Sequence, residues 1–417
     1  MSVSLSHLYA LTTDERLLFT TRIVRLFAYG FLSVVLVLYL AQVGLSEAQI
    51  GLLLTLTLIG DTLISLWITT RADQIGRRRM LIISAGLMLL AGLLFAVTGN
   101  FILLLIAATV GVISPSGGEV GPFLAIEQAA LAQTVAGHKR TGVFAWYNLV
   151  GSFATALGAL AGGFLVQSLQ GWAVAPVMSY RAVVIGYGVL GLVLGIMFLG
   201  LSPLVEAPAL GAKTSETKGW FGLHHSRQIV LKLSALFALD AFGGGFVVQS
   251  MMAYWFYLRY GVEPAVLGSI FFGANILAGI SALSAAAVAA RIGLINTMVF
   301  THIPSNILLM LVPLMPNLPL AITMLLLRFS ISQMDVPTRQ SYTMAVVDPA
   351  ERSAAAGVTG IARTLGSALA PSLTGLLIGM PAWVNAPFFI AGILKIIYDL
   401  ALYRMFVSVK PPEEKHT

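Results

Sequence analysis

Apolar residues run through this chain in long blocks parted by short polar breaks. About 20 mostly apolar residues suffice for a helix to cross a bilayer. Twelve blocks meet that length, near 17–43, 48–69, 80–98, 101–125, 142–167, 181–202, 229–258, 265–290, 294–316, 318–345, 354–380 and 383–407. Several breaks are very short, such as Gly99-Asn100 and Pro316-Asn317. The longest, from about 203 to 227, holds Glu206, Lys213, Glu216, Lys218, His224 and His225 and falls midway along the chain. The pattern predicts an all-α membrane protein with twelve transmembrane helices in two pseudo-symmetric six-helix bundles. An N-terminal bundle over 1–202 would be joined by a cytoplasmic loop, 203–227, to a C-terminal bundle with a short cytoplasmic tail, 228–417.

Basic residues orient the helices, because loops rich in Lys and Arg stay in the cytoplasm. With the N-terminus inside, the inner loops hold Arg71, Arg77, Arg78, Arg79, Lys139, Arg140, Lys213, Lys218, Arg227, Arg291 and Arg352. The tail adds Arg404, Lys410 and Lys415, whereas the outer loops hold only Arg181 and Arg259. That asymmetry predicts a multi-pass protein of the cell (inner) membrane with both termini cytoplasmic.

Composition agrees. Charged residues make up 10% of the chain, against roughly 25% in a soluble domain. The mean hydropathy of +0.91 rules out a water-solvated globule. A net charge of +7 could suggest nucleic acid, but the lysines and arginines lie where orientation requires them, so the partner is the bilayer. With no cysteine, disulfides, thiol catalysis and thiolate metal sites are excluded. The start, MSVSLSHLYALTTDERLL, has no basic stretch followed by a cleavable apolar core, so the first helix is expected to insert the chain.

The two halves echo each other. YLAQVGLSEAQIG, 39–51, parallels YLRYGVEPAVLG, 257–268, and Ile75-Gly76 and Ile292-Gly293 follow at the same spacing. QAALAQTVAGHKR, 128–140, matches QSYTMAVVDPAER, 340–352, in length and terminal Arg. Parallel six-helix repeats around a central site are a transporter architecture.

The loop TTRADQIGRRR, 69–79, resembles motif A of the major facilitator superfamily, roughly Gly-x-Leu-x-Asp-x-x-Gly-Arg-Lys/Arg. Asp73, Gly76, Arg77 and Arg78 match, while Thr69 and Arg71 stand where the family has Gly and Leu. The resemblance implies that Asp73 and Arg77 help to lock the cytoplasmic side when the protein opens outward. Around Arg291-Ile292-Gly293 the second half lacks the acidic residue. Gly158-Ala159-Leu160-Ala161-Gly162-Gly163 resembles the antiporter motif C, with Ala159 in place of its Pro, and Ala370-Pro371 takes the equivalent place in the eleventh helix. The alternative reading of this glycine run is close helix packing.

Charges within the spans are costly, about 2.5–3.5 kcal/mol each on insertion scales. The acids are Asp61, Glu119, Glu127, Asp240, Asp335 and Asp399, and the bases are Arg22, Arg25, Arg328, Arg339, Arg363 and Lys395. Equal numbers suggest pairing. Glu119 sits in SPSGGEVGPFLAIEQ, 114–128, where prolines and glycines break the fourth helix; irregular backbone at that depth is tolerated when it lines water or is buried. Glu119 is thus a proton-coupling or substrate-contacting candidate, or else an ion-pair partner of Arg22 or Arg25. Asp61 and Asp240 are further proton-coupling candidates, with interhelical pairing as the alternative.

Asp335 and Arg339 share a helix face at i, i+4. By the repeat Glu127 matches Arg339, and these groups join Asp73, Gly76, Arg77 and Arg78 as the expected cytoplasmic gate. Arg22 and Arg25 either snorkel to headgroups or hold an anionic substrate. With Tyr29, Glu119, Asp240 and Arg363 they form the substrate-binding set. Lys395 and Asp399, also i, i+4, are expected to neutralise each other. Tyr39, Trp146, Tyr147, Trp255, Phe256 and Tyr257 read as packing or interface aromatics, or as a lining for organic ligands. His302, two residues before Pro304, reads as a satisfied histidine at a kink rather than a metal ligand.

No Gly-x-x-x-x-Gly-Lys-Ser/Thr loop and no His-Glu-x-x-His motif occurs, which argues against ATP coupling and membrane hydrolysis. The expected protein is not an enzyme and needs no cofactor or metal. It is a secondary transporter working by alternating access on a small molecule and protons. The partial motif C favours efflux by antiport. The intramembrane arginines favour the alternative, uptake symport or uniport of an organic anion. A receptor or scaffold would instead tolerate neutralising Glu119, Asp240 and Arg339. Twelve helices require no second chain, so a monomer is expected.

Overall fold

The structure is a computed structural model and describes residues 11–135, 140–206, 223–348 and 351–409. Lys139, Lys213, Glu216, Lys218, Lys410 and Lys415, assigned above to loops, lie outside the described residues. Every regular element among the described residues is a helix. Among the described residues nine helices are long and apolar enough to cross a bilayer by length and composition. A tenth span is the pair α1 (Thr13–Ser33) and α2 (Leu36–Gln42), bent by 44°.

The fourth and tenth apolar blocks are each divided. Helix α5 (Phe101–Val110) stops at Gly111, and α6 (Phe123–Thr134) begins after Pro122. Gly117 and Gly121, at φ 71° and 78°, turn the chain between them, a conformation that costs glycine little. Helix α13 (Leu318–Ile331) and α14 (Asp335–Val346) part at Ser332–Met334, where the Ser281 hydroxyl accepts a hydrogen bond from the Gln333 amide at 3.2 Å. Helix starts follow local chemistry. Thr12 with Glu15 caps α1, Ser46 with Gln49 caps α3 (Glu47–Ile75), and the side chains of Asn100 and Asn317 cap α5 and α13.

Contacts divide the chain into two compact units. The first is Met1–Leu210 with Gln249–Asn275, and the second is Gly211–Val248 with Ile276–Thr417. In the first, α1 packs on α7 (Arg140–Gly171) and α4 (Arg77–Val97) on α8 (Pro176–Leu199). α10 (Gln249–Tyr260) and the first turns of α11 (Pro264–Ile292) join it: Gln249 donates to the Ser33 hydroxyl at 2.8 Å, and the Tyr254 hydroxyl to Glu47 at 3.0 Å.

In the second unit α9 (Arg227–Gly245) packs on α15 (Arg352–Ile378), and α12 (Leu294–Leu311) on α16 (Ala386–Phe406). Its apolar core gathers Phe237, Met298, Tyr342, Tyr398 and Phe406. Both units bring their lead helix pair to backbone contact through glycine. A Cβ on Gly158 would lie 2.0 Å from the Phe27 carbonyl oxygen, and one on Gly366 2.4 Å from that of Ala238. In the run that resembles motif C, Gly158 and Gly162 thus pack α7 on α1, and Gly163 meets Pro264 and Gly268 of α11.

Candidate functional site

Each unit buries a cluster of charges on its lead helices. In the first, Arg22 and Arg25 lie on one face of α1 and are buried, so neither snorkels to headgroups. Desolvation that a headgroup would relieve is relieved instead by two carboxylates. Glu119 Oε1 accepts from Arg22 Nη1 and, at 3.2 Å, from Arg25 Nη2. Arg25 Nη1 reaches Glu127 Oε1 at 2.7 Å. Glu127 also accepts from the Thr21 hydroxyl at 3.0 Å and from the Tyr147 hydroxyl. Arg22 lies 4.2 Å over the Tyr147 ring and donates to Asn148 at 3.2 Å.

Sequence dictates this convergence. The helix break lets Glu119 leave the lipid-facing path, and the Tyr29 hydroxyl anchors the broken segment at the Val120 carbonyl, 3.1 Å away. Gly151 gives Arg22 its room, since a Cβ there would lie 2.8 Å from Arg22 Nε. Two guanidiniums thus face two carboxylates. Neutralising Glu119 would leave both cations of α1 to Glu127, an expensive imbalance in a buried site.

The second cluster centres on Asp240 of α9. Lys395 Nζ of α16 lies 2.6 Å from Oδ1, while Arg339 Nη1 of α14 and Arg363 Nη1 of α15 lie 3.2 and 3.5 Å from Oδ2. Arg339 also holds Asp335 at 2.8 Å, closing the i, i+4 pair. Lys395 does not pair with Asp399 as their spacing suggests. Asp240 draws the ammonium along the glycine face of α9, where a Cβ on Gly243 would stand 3.1 Å from Lys395 Cγ. Asp399 turns to α12 and meets His302 Nδ1 at 2.8 Å and Asn306 Nδ2 at 3.3 Å. His302 Nε2 faces Asp240 Oδ1 at 3.9 Å. His302 is therefore part of the cluster, which its sequence context hid. The available signal was a polar pair, His302 and Asn306, on one face of an otherwise apolar helix.

The other candidates separate by place. Asp61 of α3 receives the Ser65 hydroxyl at 3.5 Å and has the Gly121 backbone beside it. Among the described residues no base forms an ion pair with it. Tyr29 and Tyr147 touch the first charge cluster. Tyr39 donates to the Phe95 carbonyl, and Trp255 packs edge-on against Phe256 at 5.1 Å.

The expected gate residues fall into three groups. Glu127 belongs to the first cluster, and Asp335 and Arg339 to the second. Asp73, Gly76, Arg77 and Arg78 form a helix-start site of their own. Glu206 accepts from the Arg77 and Arg78 amides at 2.5 and 3.3 Å. Arg77 bonds Asp73 at 2.7 Å, Gln133 at 2.8 Å and the Val205 carbonyl at 3.2 Å. Gly76, at φ 112°, makes the turn before it. Sequence reading missed Glu206 and Gln133, which lie far from the loop along the chain.

A helical membrane chain with a charged cluster in each of two similar units points to a transporter family, and the comparisons decide which. The family model for the Major Facilitator Superfamily matches residues 18–371. The chain belongs to the Major Facilitator Superfamily. A relative named uncharacterized membrane protein YJR124C, from Saccharomyces cerevisiae, is 32% identical over 425 residues, covering 95% of this chain and 94% of that one. Among solved structures, a bacterial homolog of the human lysosomal transporter Spinster superposes with a TM-score of 0.74 at 16% identity, over 98% of this chain and 99% of its own. A D-xylose-proton symporter gives a TM-score of 0.73 at 14% identity, over 93% and 97% of the two chains. This superfamily member is a multi-pass membrane transporter.

Proposed function

We propose that this transporter moves a small organic anion together with protons by alternating access. The observation that carries the reading is Arg363. Its side chain is 35% exposed, and its Nη1 makes no hydrogen bond. Among the described residues the carboxylate it pairs with, Asp240, is already held by Lys395 and Arg339. A guanidinium presents a planar fork that matches carboxylate or phosphate, so Arg363 is the cation bound to Asp240 that combines exposure with capacity to spare.

Proton coupling follows from the same sharing. An anion at Arg363 competes with Asp240 for the guanidinium, and a charge cluster that gains an anion takes up a proton more readily. Anion and proton then favour each other, which is the sign of symport. Glu119, between Arg22 and Arg25, supports the same exchange in the first unit, and Asp61 is the further proton candidate. The Asp73–Arg77–Glu206 site serves as the cytoplasmic gate, with both termini on that side. The halves 1–202 and 228–417, joined through 203–227, act as the moving bodies of a monomer in the cell membrane.

The test is a lumenal pH dye in vesicles reconstituted with the full chain. The panel comprises aromatic carboxylates, dicarboxylates, sugar phosphates and organic cations. An added anion should acidify the lumen. Arg363→Gln should weaken its apparent affinity roughly tenfold or more, the cost of a charged hydrogen bond. Alkalinisation would mean proton antiport, and transport confined to organic cations would overturn the reading.

A further inference from the structure

We propose that His302 is the proton-carrying group of the second unit, and that its charge decides whether Arg363 is free to take an anion. The inference deepens the coupled-transport reading above and rests on it for the anion, but not for the proton.

His302 is buried on α12 and bridges two carboxylates. Nδ1 lies 2.8 Å from Asp399 Oδ1, and Nε2 faces Asp240 Oδ1 at 3.9 Å. Asp399 is fully buried, and among the described residues no Arg or Lys reaches it within ion-pair distance. The imidazole and the Asn306 amide are its hydrogen-bond partners among the described residues, and Lys395 acts on it only beyond ion-pair distance. A carboxylate buried so deeply, with a histidine as its cationic partner, ties the charge of the pair to one exchangeable proton.

The surroundings set the direction of the effect. α16 presents Lys395, Tyr398 and Asp399 to the imidazole; the Tyr398 ring stands edge-on at 6.0 Å. α9 presents Asp240, α14 Asp335 and Arg339, and α15 Arg363. Arg328 of α13, 4.8 Å over the Phe329 ring, makes no ion pair among the described residues but adds its positive charge on the Asp335 side. The three ion-paired cations, Arg339, Arg363 and Lys395, face three carboxylates, Asp240, Asp335 and Asp399. With the imidazole neutral these six groups balance one another, and Arg328 is the further cation beside Asp335.

With Nδ1–H donated to Asp399, the lone pair of Nε2 points toward Asp240. A proton arriving there makes an imidazolium between two carboxylates and leaves the cluster with one surplus positive charge. Asp240 then has four cations around it. The one held at the longest ion-pair distance apart from His302 itself is Arg363, at 3.5 Å, and it is also the exposed one. It is released first, and an anion at Arg363 restores the balance. When the anion leaves, the proton leaves Nε2.

The experiment joins spectroscopy to transport, both on the full chain in lipid vesicles. Infrared pH-difference spectra with isotope-labelled histidine compare the natural protein with His302→Gln and Asp399→Asn. Glutamine keeps an N–H for Asp399 but takes up no proton, so a purely structural histidine would be rescued by it. The expected result is a buried imidazole titration that disappears in His302→Gln and shifts in Asp399→Asn. Superimposable spectra for the three proteins overturn the proposal. In parallel, the acceleration of anion uptake on lowering external pH should be lost in His302→Gln; a wild-type pH profile in that variant overturns the proposal as well. If the panel of anions yields no transport at all, the anion reading fails, and the infrared titration still decides His302.

Discussion

Arg25 has no exposed surface and holds two carboxylates at once. Arg25→Ala strands Glu127 with two hydroxyl donors and should cost about 3–5 kcal/mol, the usual result of breaking one side of a buried pair. Thermal unfolding in detergent checks this. The number and sign of the buried charges were legible, because ionisable residues stand out in apolar blocks. Their partners were not. Asp335 and Arg339 pair across one turn, while Lys395 and Asp399, at the same spacing, each turn to another helix. Spacing fixes which groups share a face; the choice between a neighbour on that face and one on a facing helix depends on packing that no single helix encodes.

Helices in this protein are limited by how closely their backbones must approach. Gly158→Ala drives a methyl into the Phe27 carbonyl and should lower the melting temperature and abolish transport. Gly86→Ala on α4, with nothing within 4 Å, should be neutral or stabilising by up to about 1 kcal/mol, the helix-propensity difference. Helix starts carry a pH signature. Glu351 accepts the amides of His224, His225 and Ser226 at 2.8–2.9 Å, ahead of α9. Burial pushes its carboxyl up, but these amides and the Ser226 hydroxyl outweigh it and hold the group down at about 2. A depressed carboxyl stabilises above its unfolded value, about 4.3, and the contribution fades as pH falls toward 2. Glu351→Gln should therefore melt below the natural protein at pH 7, with the gap closing from about pH 5 downward. At this scale the break in the fourth apolar block was legible in its prolines and glycines. The break at Ser332–Met334 was not, because its support comes from Ser281, some fifty residues away along the chain.

Hydropathy alone made the class of the whole molecule legible, since so apolar a chain has no other solvent than lipid. How its parts group was less so. Gln249–Asn275 clusters with the first unit through contacts such as Gln249–Ser33 and Tyr254–Glu47, which join positions roughly two hundred residues apart. Orientation is directly testable because the chain has no cysteine. A membrane-impermeant maleimide on intact cells should label Trp172→Cys, at a position 78% exposed, and spare Arg352→Cys. The slot that Gly243 leaves for Lys395 has a further consequence, for the order in which mutations can accumulate. While the lysine stem lies there, a side chain at 243 meets it at 3.1 Å and the Ala391 carbonyl oxygen at 3.2 Å. A lineage that trades Lys395 for a short residue removes the first of these two obstacles to alanine at 243. If alanine then settles there, a returning lysine finds a narrower slot. Descendants that abandon this cation should therefore regain it less readily than they lost it.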